Sequence, residues 1–259
     1  MIGSFREIFN YREFVREYTM QVLRSRYRGS ILGFFWTLLN PVLLCITYIV
    51  VFTFVMHVNL HQFIPYFLGS YIPWLFFVNA GSAATFAIIG NAHYVSRTYV
   101  PKGSFPIANV LINLVDFVIS LAFVVFLLAA FAPERMTLAL LFLPISTLIL
   151  IMFVTGVSYL FATLNVFFRD FSFVWTSVST MWFFFSPILY RMDQITPAMR
   201  PIFGANIIIP FLKLFQDPIA YGVIPSMETV LSASLYAAVV FIIGASAFFR
   251  SEKQFYMYV

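Results

Sequence analysis

Six apolar stretches, each at least 20 residues long, fill most of the chain: 31–56, 65–90, 107–132, 138–168, 171–190 and 229–249. About 20 apolar residues in a helix cross the roughly 30 Å of hydrocarbon in a bilayer. Backbone immersed there has no water to bond, so each stretch is driven to satisfy its N–H and C=O groups within a helix. An all-α membrane protein with six transmembrane helices is therefore expected. Composition agrees, with 62% of residues hydrophobic and 10% charged, against about 45–50% apolar and about 25% charged in soluble domains. The longest pieces outside the stretches are residues 1–30 and 191–228. Both fall short of the roughly 50 residues of a small independent domain, so any soluble machinery must come from another chain.

The placement of charge carries the topology. The N-terminal segment, the Asn91 to Pro106 loop, the Arg169 turn and the C-terminus hold eleven Lys and Arg, whereas the alternate connections hold four, Arg135, Arg191, Arg200 and Lys213. Basic residues favour the cytoplasmic side, which places both termini there. Basic residues confined to the gaps between apolar stretches are a topology signal and give no reason to expect a nucleic-acid partner. The single cysteine, Cys45, cannot form an intrachain disulfide. The first 28 residues carry nine charges and lack the apolar core of a signal peptide.

Residues Ser4 to Tyr27 read as one amphipathic helix. Phe5, Ile8, Phe9, Val15, Tyr18, Val22 and Leu23 recur at spacings of three and four, and Ser4 with Glu7 has the form of a capping box. Such a helix lies in the membrane surface with its arginines near anionic headgroups, or packs on a partner. At the other end, residues 191–228 contain five of the chain's 13 prolines. The apolar stretch Ile202 to Leu214 is too short to span. Two short re-entrant segments fit, as does an ordinary loop across the helix ends.

Polar residues inside spans are costly and rare, so their positions carry information. In the third span Asn109, Asn113, Asp116 and Ser120 share one helical face. Asp116 invites a proton relay, yet no Glu, His, Lys or Arg lies inside another span to receive the proton; the alternative is a carboxylate held by nearby Asn or backbone groups. In the fifth span Ser172, Trp175, Thr176, Ser179, Trp182, Ser186 and Tyr190 fall on one side. Alternating hydroxyls and aromatic rings suit a passage for a sugar chain, or equally close helix packing. The first span repeats the theme with Trp36, Asn40 and Thr47, below a GxxxG at Gly29 and Gly33 that usually marks a helix contact.

Catalytic constellations are missing from the sequence. His57 and His61 have metal-compatible spacing but no acidic or thiol neighbour. No GxxxxGK[ST] phosphate loop occurs. Asn165 lacks the hydroxyl residue of an N-glycan acceptor. The Asn91 to Pro106 loop, with Arg97, Tyr99 and Lys102, is short, basic and aromatic. In Phe167-Phe168-Arg169-Asp170-Phe171 two opposite charges sit between rings. Both turns look suited to docking a soluble partner; Arg169 and Asp170 also read as a local ion pair ending two helices.

Arg26-Tyr27-Arg28-Gly29-Ser30-Ile31-Leu32-Gly33-Phe34-Phe35-Trp36, continuing to Asn40-Pro41, resembles the start of the first span in permeases of polysaccharide ABC exporters. Leu164-Asn165-Val166-Phe167-Phe168-Arg169-Asp170 and Ser186-Pro187-Ile188-Leu189-Tyr190 are similar to two further signatures of that group. The resemblance extends over essentially the whole chain.

It implies a single transmembrane domain, 1–259: an interfacial helix (1–30), spans one to five (31–190), a periplasmic gate region (191–228), span six (229–249) and a cytoplasmic tail (250–259). It further implies a homodimer in the bacterial inner membrane, paired with two copies of a separate ATPase. ATP and Mg would bind that ATPase, leaving this chain without a cofactor, metal or catalytic residue. The cargo would be a lipid-linked polysaccharide such as O-antigen, capsule or teichoic acid. By this likeness Trp36, Asn40, Thr47, Trp175, Ser179, Trp182, Ser186 and Tyr190 border the passage. Arg97, Tyr99, Lys102, Arg169 and Asp170 face the ATPase. Arg24, Arg26, Arg28, Gly29 and Gly33 form the entrance. Asn206-Ile207 departs from the Asn-Pro of many relatives. An integral-membrane enzyme acting on lipid-linked sugars and a proton-coupled transporter using Asp116 are the competing classes.

Overall fold

The computed structural model describes residues 2–28, 39, 42–44, 46–48, 50–51, 60–97 and 100–258. Over these residues the chain is helical, with no strand. Among the described residues, four segments are long and apolar enough to cross a bilayer. The first is helix α3 (Leu60–Thr85), following α1 (Ile2–Asn10) and α2 (Arg12–Tyr27). After the short α4 (Ala92–Arg97) come α5 (Ser104–Phe131) and α6 (Leu143–Phe167), the latter entered through a 3₁₀ turn at Leu138–Phe142. Helix α7 (Phe171–Phe184) precedes two short helices, α8 (Arg200–Gly204) and α9 (Ile209–Gln216). Last is α10 (Met227–Ser251), which runs on as a 3₁₀ segment, Glu252–Met257.

Two sequence expectations change. The fifth apolar stretch yields only the 14 residues of α7. At 1.5 Å per residue this is about 21 Å, short of the roughly 30 Å required. Residues 185–190 leave helical geometry at Ser186-Pro187, where proline supplies no N–H to continue the ladder. The first apolar stretch, 31–56, lies mostly outside the described residues. The N-terminal helix starts at Ile2, so Ser4 stands inside it rather than capping it, and it breaks at Tyr11, whose φ and ψ are −94° and 21°. The Tyr11 N–H is shared between the carbonyls of Glu7 and Ile8, the tightened end of one helix before the next begins.

Helix α3 occupies the centre and is buried inside the chain along most of its length, while α5, α6 and α10 turn most of theirs outward. Their outward residues include Phe126, Phe131, Leu138, Leu148, Leu231 and Leu235, each more than 60% exposed. Side chains of that kind are stable at a surface only where the surrounding solvent is hydrocarbon. The closest approach between helices joins α6 to α10. A Cβ at Gly244 would lie 2.0 Å from the Gly156 carbonyl oxygen, and one at Gly156 would lie 2.5 Å from Phe241 Cα. Two glycines therefore let these backbones touch, the small-residue packing that membrane helices use where burial from water cannot drive association.

The bundle has two distinct ends. At one, Tyr18 donates to Asn91 Oδ1 (2.8 Å), Lys102 to the Glu252 carbonyl (2.7 Å) and Arg169 to the Tyr258 carbonyl (3.4 Å). These contacts gather the N-terminal helices, the 91–103 loop, the 168–170 turn and the C-terminus, the four segments of the Arg- and Lys-rich set. At the opposite end lie the turn at 133–137, the 186–195 segment, α8, α9 and a π-turn at Asp217–Tyr221.

Candidate functional site

For the Trp and Ser stripe of helix α7, a passage and close helix packing were both open. The structure packs several of these residues within the chain. Trp175 is 3% exposed, its Nε1 donates to Ser82 Oγ (3.1 Å), and its ring lies 4.5 Å from Phe161 and 5.4 Å from Phe77. Ser179 and Ser186 are buried, their hydroxyls donating to the carbonyls of Thr176 and Trp182. Trp182 packs beside Trp74 and Phe77. Trp175, Ser179 and Ser186 are thus buried among neighbouring helices, where the indole buries a large apolar surface. The outward face carries Thr176, Ser177 and Thr180 among Phe173, Val174, Met181 and Phe184. Each of those three hydroxyls donates to the carbonyl four residues back, which frees its lone pairs to accept from a passing group. Thr47, from the first apolar stretch, is also exposed and donates to the Leu43 carbonyl (2.9 Å).

Beyond α7 the chain enters the bundle with irregular backbone, and neutral side chains satisfy it. Asn206 is the hub. Its Oδ1 accepts from Trp182 Nε1 (2.8 Å) and from the Ile208 N–H (3.1 Å), while its Nδ2 donates to the Phe185 carbonyl and to Ser186 Oγ, both at 3.1 Å. Helix α9 then inserts with Phe211, Leu214 and Phe215 fully buried, Phe211 lying 4.3 Å from Phe153 of α6. Pro210 sits in the first turn of α9, where its missing N–H leaves no helical bond unmade. Gln216 donates to Ser70 Oγ (2.6 Å) and to the Pro187 carbonyl (2.9 Å), and the single Tyr66 hydroxyl proton is shared between the carbonyls of Pro187 (2.8 Å) and Tyr190 (3.0 Å). The Tyr190 hydroxyl donates to the Phe184 carbonyl (2.7 Å). A buried carbonyl left without a donor costs several kcal/mol in hydrocarbon, so this network is what lets irregular backbone pack inside the bundle.

The opposite end is built on charge. Ile8 and Val15 bury the apolar face of α1 and α2 against Ala108, Leu111 and Phe249, so these helices pack on the chain's own spans; Phe9, expected on the same face, is 65% exposed beneath Arg12. Helix α2 follows α5 until Arg26 reaches Asp116, with Nη1 2.5 Å from Oδ2. Asn109, on the Asp116 face, donates to the Ala83 carbonyl of α3 (3.1 Å), and Asn113 is buried. Asp116 was expected to lean on Asn or backbone groups; its cation comes from outside the spans. Arg24 and Arg28 are exposed.

Lys102 is buried, its ammonium 3.5 Å from the centroid of the Tyr256 ring. Burial pulls its pKa below the ordinary lysine value, with the Glu252 carboxylate pulling the other way. Lys102, expected to face the ATPase, packs under the C-terminal segment in this chain. Arg169 and Asp170 are both exposed, and no ion pair joins them. Asp170 stands just before the first turn of α7, where the helix dipole favours a negative charge.

Arg97 ends α4, and only its backbone is described. Gly29, Gly33, Trp36, Asn40, Tyr99, Cys45 and His57 lie outside the described residues. His61 is 3.8 Å from Glu134. Among the described residues no cluster of three or more His, Cys, Asp or Glu could hold a metal. Sequence reasoning missed Asn165, whose Nδ2 donates to the Thr85 carbonyl (2.7 Å) and whose Oδ1 accepts from the Ser172 N–H (3.2 Å). An amide in the last turn of an apolar span was the available signal. Gln216 and Tyr66 were missed for lack of any local pattern.

A bundle of apolar helices carries a short buried helix at one end and a charged, aromatic platform at the other. Residues 14–219 match the ABC-2 type transporter family, and the chain belongs to that family. It is a permease that crosses the membrane several times. Among curated relatives it is 30% identical over 98% of both chains to the O-antigen export system permease protein RfbA of Myxococcus xanthus. It is 26% identical to the protein of the same name from Klebsiella pneumoniae, covering 92% of this chain and 91% of that one.

Proposed function

We propose that this chain is the conduit-forming subunit of an ATP-driven exporter that moves a lipid-linked polysaccharide, O-antigen in particular, from the cytoplasm to the periplasm across the inner membrane. The full-length match to two O-antigen export permeases carries this reading. The chain acts as a homodimer with two copies of a separate ATPase, which binds ATP and Mg; the sequence has no phosphate loop of its own. Both termini and the basic platform face the cytoplasm. Arg97, Tyr99, Arg169 and Asp170 contact the ATPase, Lys102 holds the loop in place, and Arg24, Arg26, Arg28, Gly29 and Gly33 frame the entrance.

The passage runs along the outward face of α7, where Thr176 and Thr180 offer hydroxyls between apolar side chains, together with Trp36, Asn40 and Thr47 of the first span. Trp175, Ser179, Trp182, Ser186 and Tyr190 set the position of that face from behind, and α8 and α9 form the periplasmic gate. Weak, repeated contacts suit a long polymer, since a site with many fixed hydrogen bonds would hold each sugar too firmly to slide. Asp116 fixes the N-terminal helix rather than relaying protons, because its partner is a guanidinium, which does not exchange protons under physiological conditions. Deleting the gene tests the export reading. Finished, lipid-linked polymer should accumulate inside the cell; unfinished glycan would point to an enzyme, and polymer still reaching the surface would reject the proposal.

A further inference from the structure

A cleft of about 380 Å³ opens at the end of the bundle opposite the basic platform, outside α9. It is lined by Gln62 and Tyr66 at the start of α3, by Tyr190, Arg191 and Gln194 after α7, and by Tyr221 of the π-turn. Four separate stretches of chain converge there, because Arg135 from the α5–α6 turn also reaches in and donates to the carbonyls of Ala220 and His61 (3.1 Å for the latter). That clamp is reinforced by Thr137, which donates to the Gly222 carbonyl (2.8 Å) where Gly222 turns the chain with φ of 65°. A Cβ at that glycine would lie 3.0 Å from the Thr137 methyl.

The chemistry of the lining is that of a carbohydrate site. Tyr66 and Tyr190 direct their hydroxyls to backbone carbonyls, so what they offer the cleft is ring carbon. Tyr221 lies edge-on to Tyr66 at 6.4 Å between ring centroids and carries the Arg191 guanidinium 5.8 Å above its ring. Gln62 is exposed, and Gln194 uses its Oε1 to accept from the Arg191 N–H, which leaves its NH₂ group to donate. Both arginines have their charge answered nearby, Arg191 by Asp193 at 3.0 Å and Arg135 by Glu134 at 3.9 Å besides its two carbonyls. A pocket with no uncompensated cation has little to gain from a phosphate. Flat rings beside planar amide and guanidinium donors match the C–H face and vicinal hydroxyls of a sugar.

We propose that this cleft binds one or two uncharged sugar residues of the exported glycan on the far side of the gate, holding the emerging chain against backsliding. The inference rests on the export reading above, and its test separates the two. Full-length permease in lipid nanodiscs is examined by saturation-transfer NMR with the producing strain's own surface polysaccharide, freed of its lipid by mild acid. Inorganic pyrophosphate serves as the second probe. Saturation should pass to sugar ring protons in the parent protein and in Tyr221→Phe. Tyr221→Ala and Gln62→Ala, both at exposed positions, should raise the concentration for half-maximal transfer about tenfold. No transfer, transfer unaltered by either alanine variant, or competition by pyrophosphate would overturn the proposal. A deletion strain that retains finished polymer inside the cell, alongside a permease that gives no transfer, would sink the cleft alone and leave the export reading intact.

Discussion

The two ends of the bundle are fastened by different chemistry. Around α9, neutral amides, hydroxyls and indoles satisfy irregular backbone: Asn206 makes four hydrogen bonds, and Gln216 and Tyr66 make two each. At the basic end, besides the neutral bond from Tyr18 to Asn91, the ties are cations on a carboxylate, a carbonyl or a ring, as in Arg26 with Asp116, Arg169 with Tyr258 and Lys102 with Tyr256; farther from α9, the outer end has its own cationic clamp in Arg135. Neutral bonds buried in protein are indifferent to salt and costly to break. Exposed ionic ties are weak, screened by salt and easily remade. The outer end around α9 is therefore fixed, and the end proposed to meet an ATPase is held in part, at Arg26 and Arg169, by contacts that can be exchanged.

The sharpest way to break this contrast is at Gln216. Gln216→Leu removes two donors from buried acceptors and should destabilise the protein by about 2–4 kcal/mol, read as a lowered denaturation midpoint in detergent. Asn206→Ala comes next, at about 2 kcal/mol, with increased proteolysis confined to the 186–207 segment. Loss of stability spread evenly over the molecule would mean that the outer end is not a separate fastening. Arg26→Gln, by contrast, should cost about 1 kcal/mol or less, because the pair with Asp116 is partly exposed. The Arg26→Gln penalty should shrink in 0.5 M salt, while those of the Gln216 and Asn206 variants stay constant.

The smallest effect is in pH, and its sign differs between the ends. Asp217, beside α9, has its carboxyl raised by burial, with Lys213 opposing. A raised carboxyl means the folded state binds the proton more tightly, so stability falls as pH rises from the ordinary carboxylate value through the raised one. Asp217→Asn should remove that slope and leave the outer end slightly firmer at neutral pH. Lys102 behaves in reverse, since its value is depressed. The folded state sheds the proton first, and stability rises as pH climbs from the depressed value toward the ordinary lysine range. Lys102→Met should flatten that alkaline gain, followed by thermal denaturation at stepped pH.

The same contrast explains what could be read from sequence. Long apolar stretches fix helices by length and hydropathy alone, so the segments around 65–90, 107–132, 138–168 and 229–249 were found, with ends shifted by a few residues. The fifth stretch misled because hydropathy does not register that Ser186-Pro187 turns the chain after only 14 helical residues. Periodicity also showed that the Trp and Ser residues of α7 share a side, but it cannot say whether that side meets a neighbour or a passage; that depends on Ser82, Phe77 and Phe161, which come from distant helices. Asp116 was conspicuous as a carboxylate in a span, whereas its partner Arg26 stands 90 residues away. Pairings set by tertiary approach leave no local trace.

The central claim is that a conduit with no power source of its own is driven by a companion ATPase. The most direct measurement is translocation of lipid-linked polysaccharide in proteoliposomes carrying the permease with or without the ATPase. Polymer should become accessible to a glycan-digesting enzyme on the far side only when both proteins and ATP are present, and dissipating the proton gradient should leave the rate unchanged. Uphill movement by the permease alone, or its abolition by an uncoupler, would contradict the account.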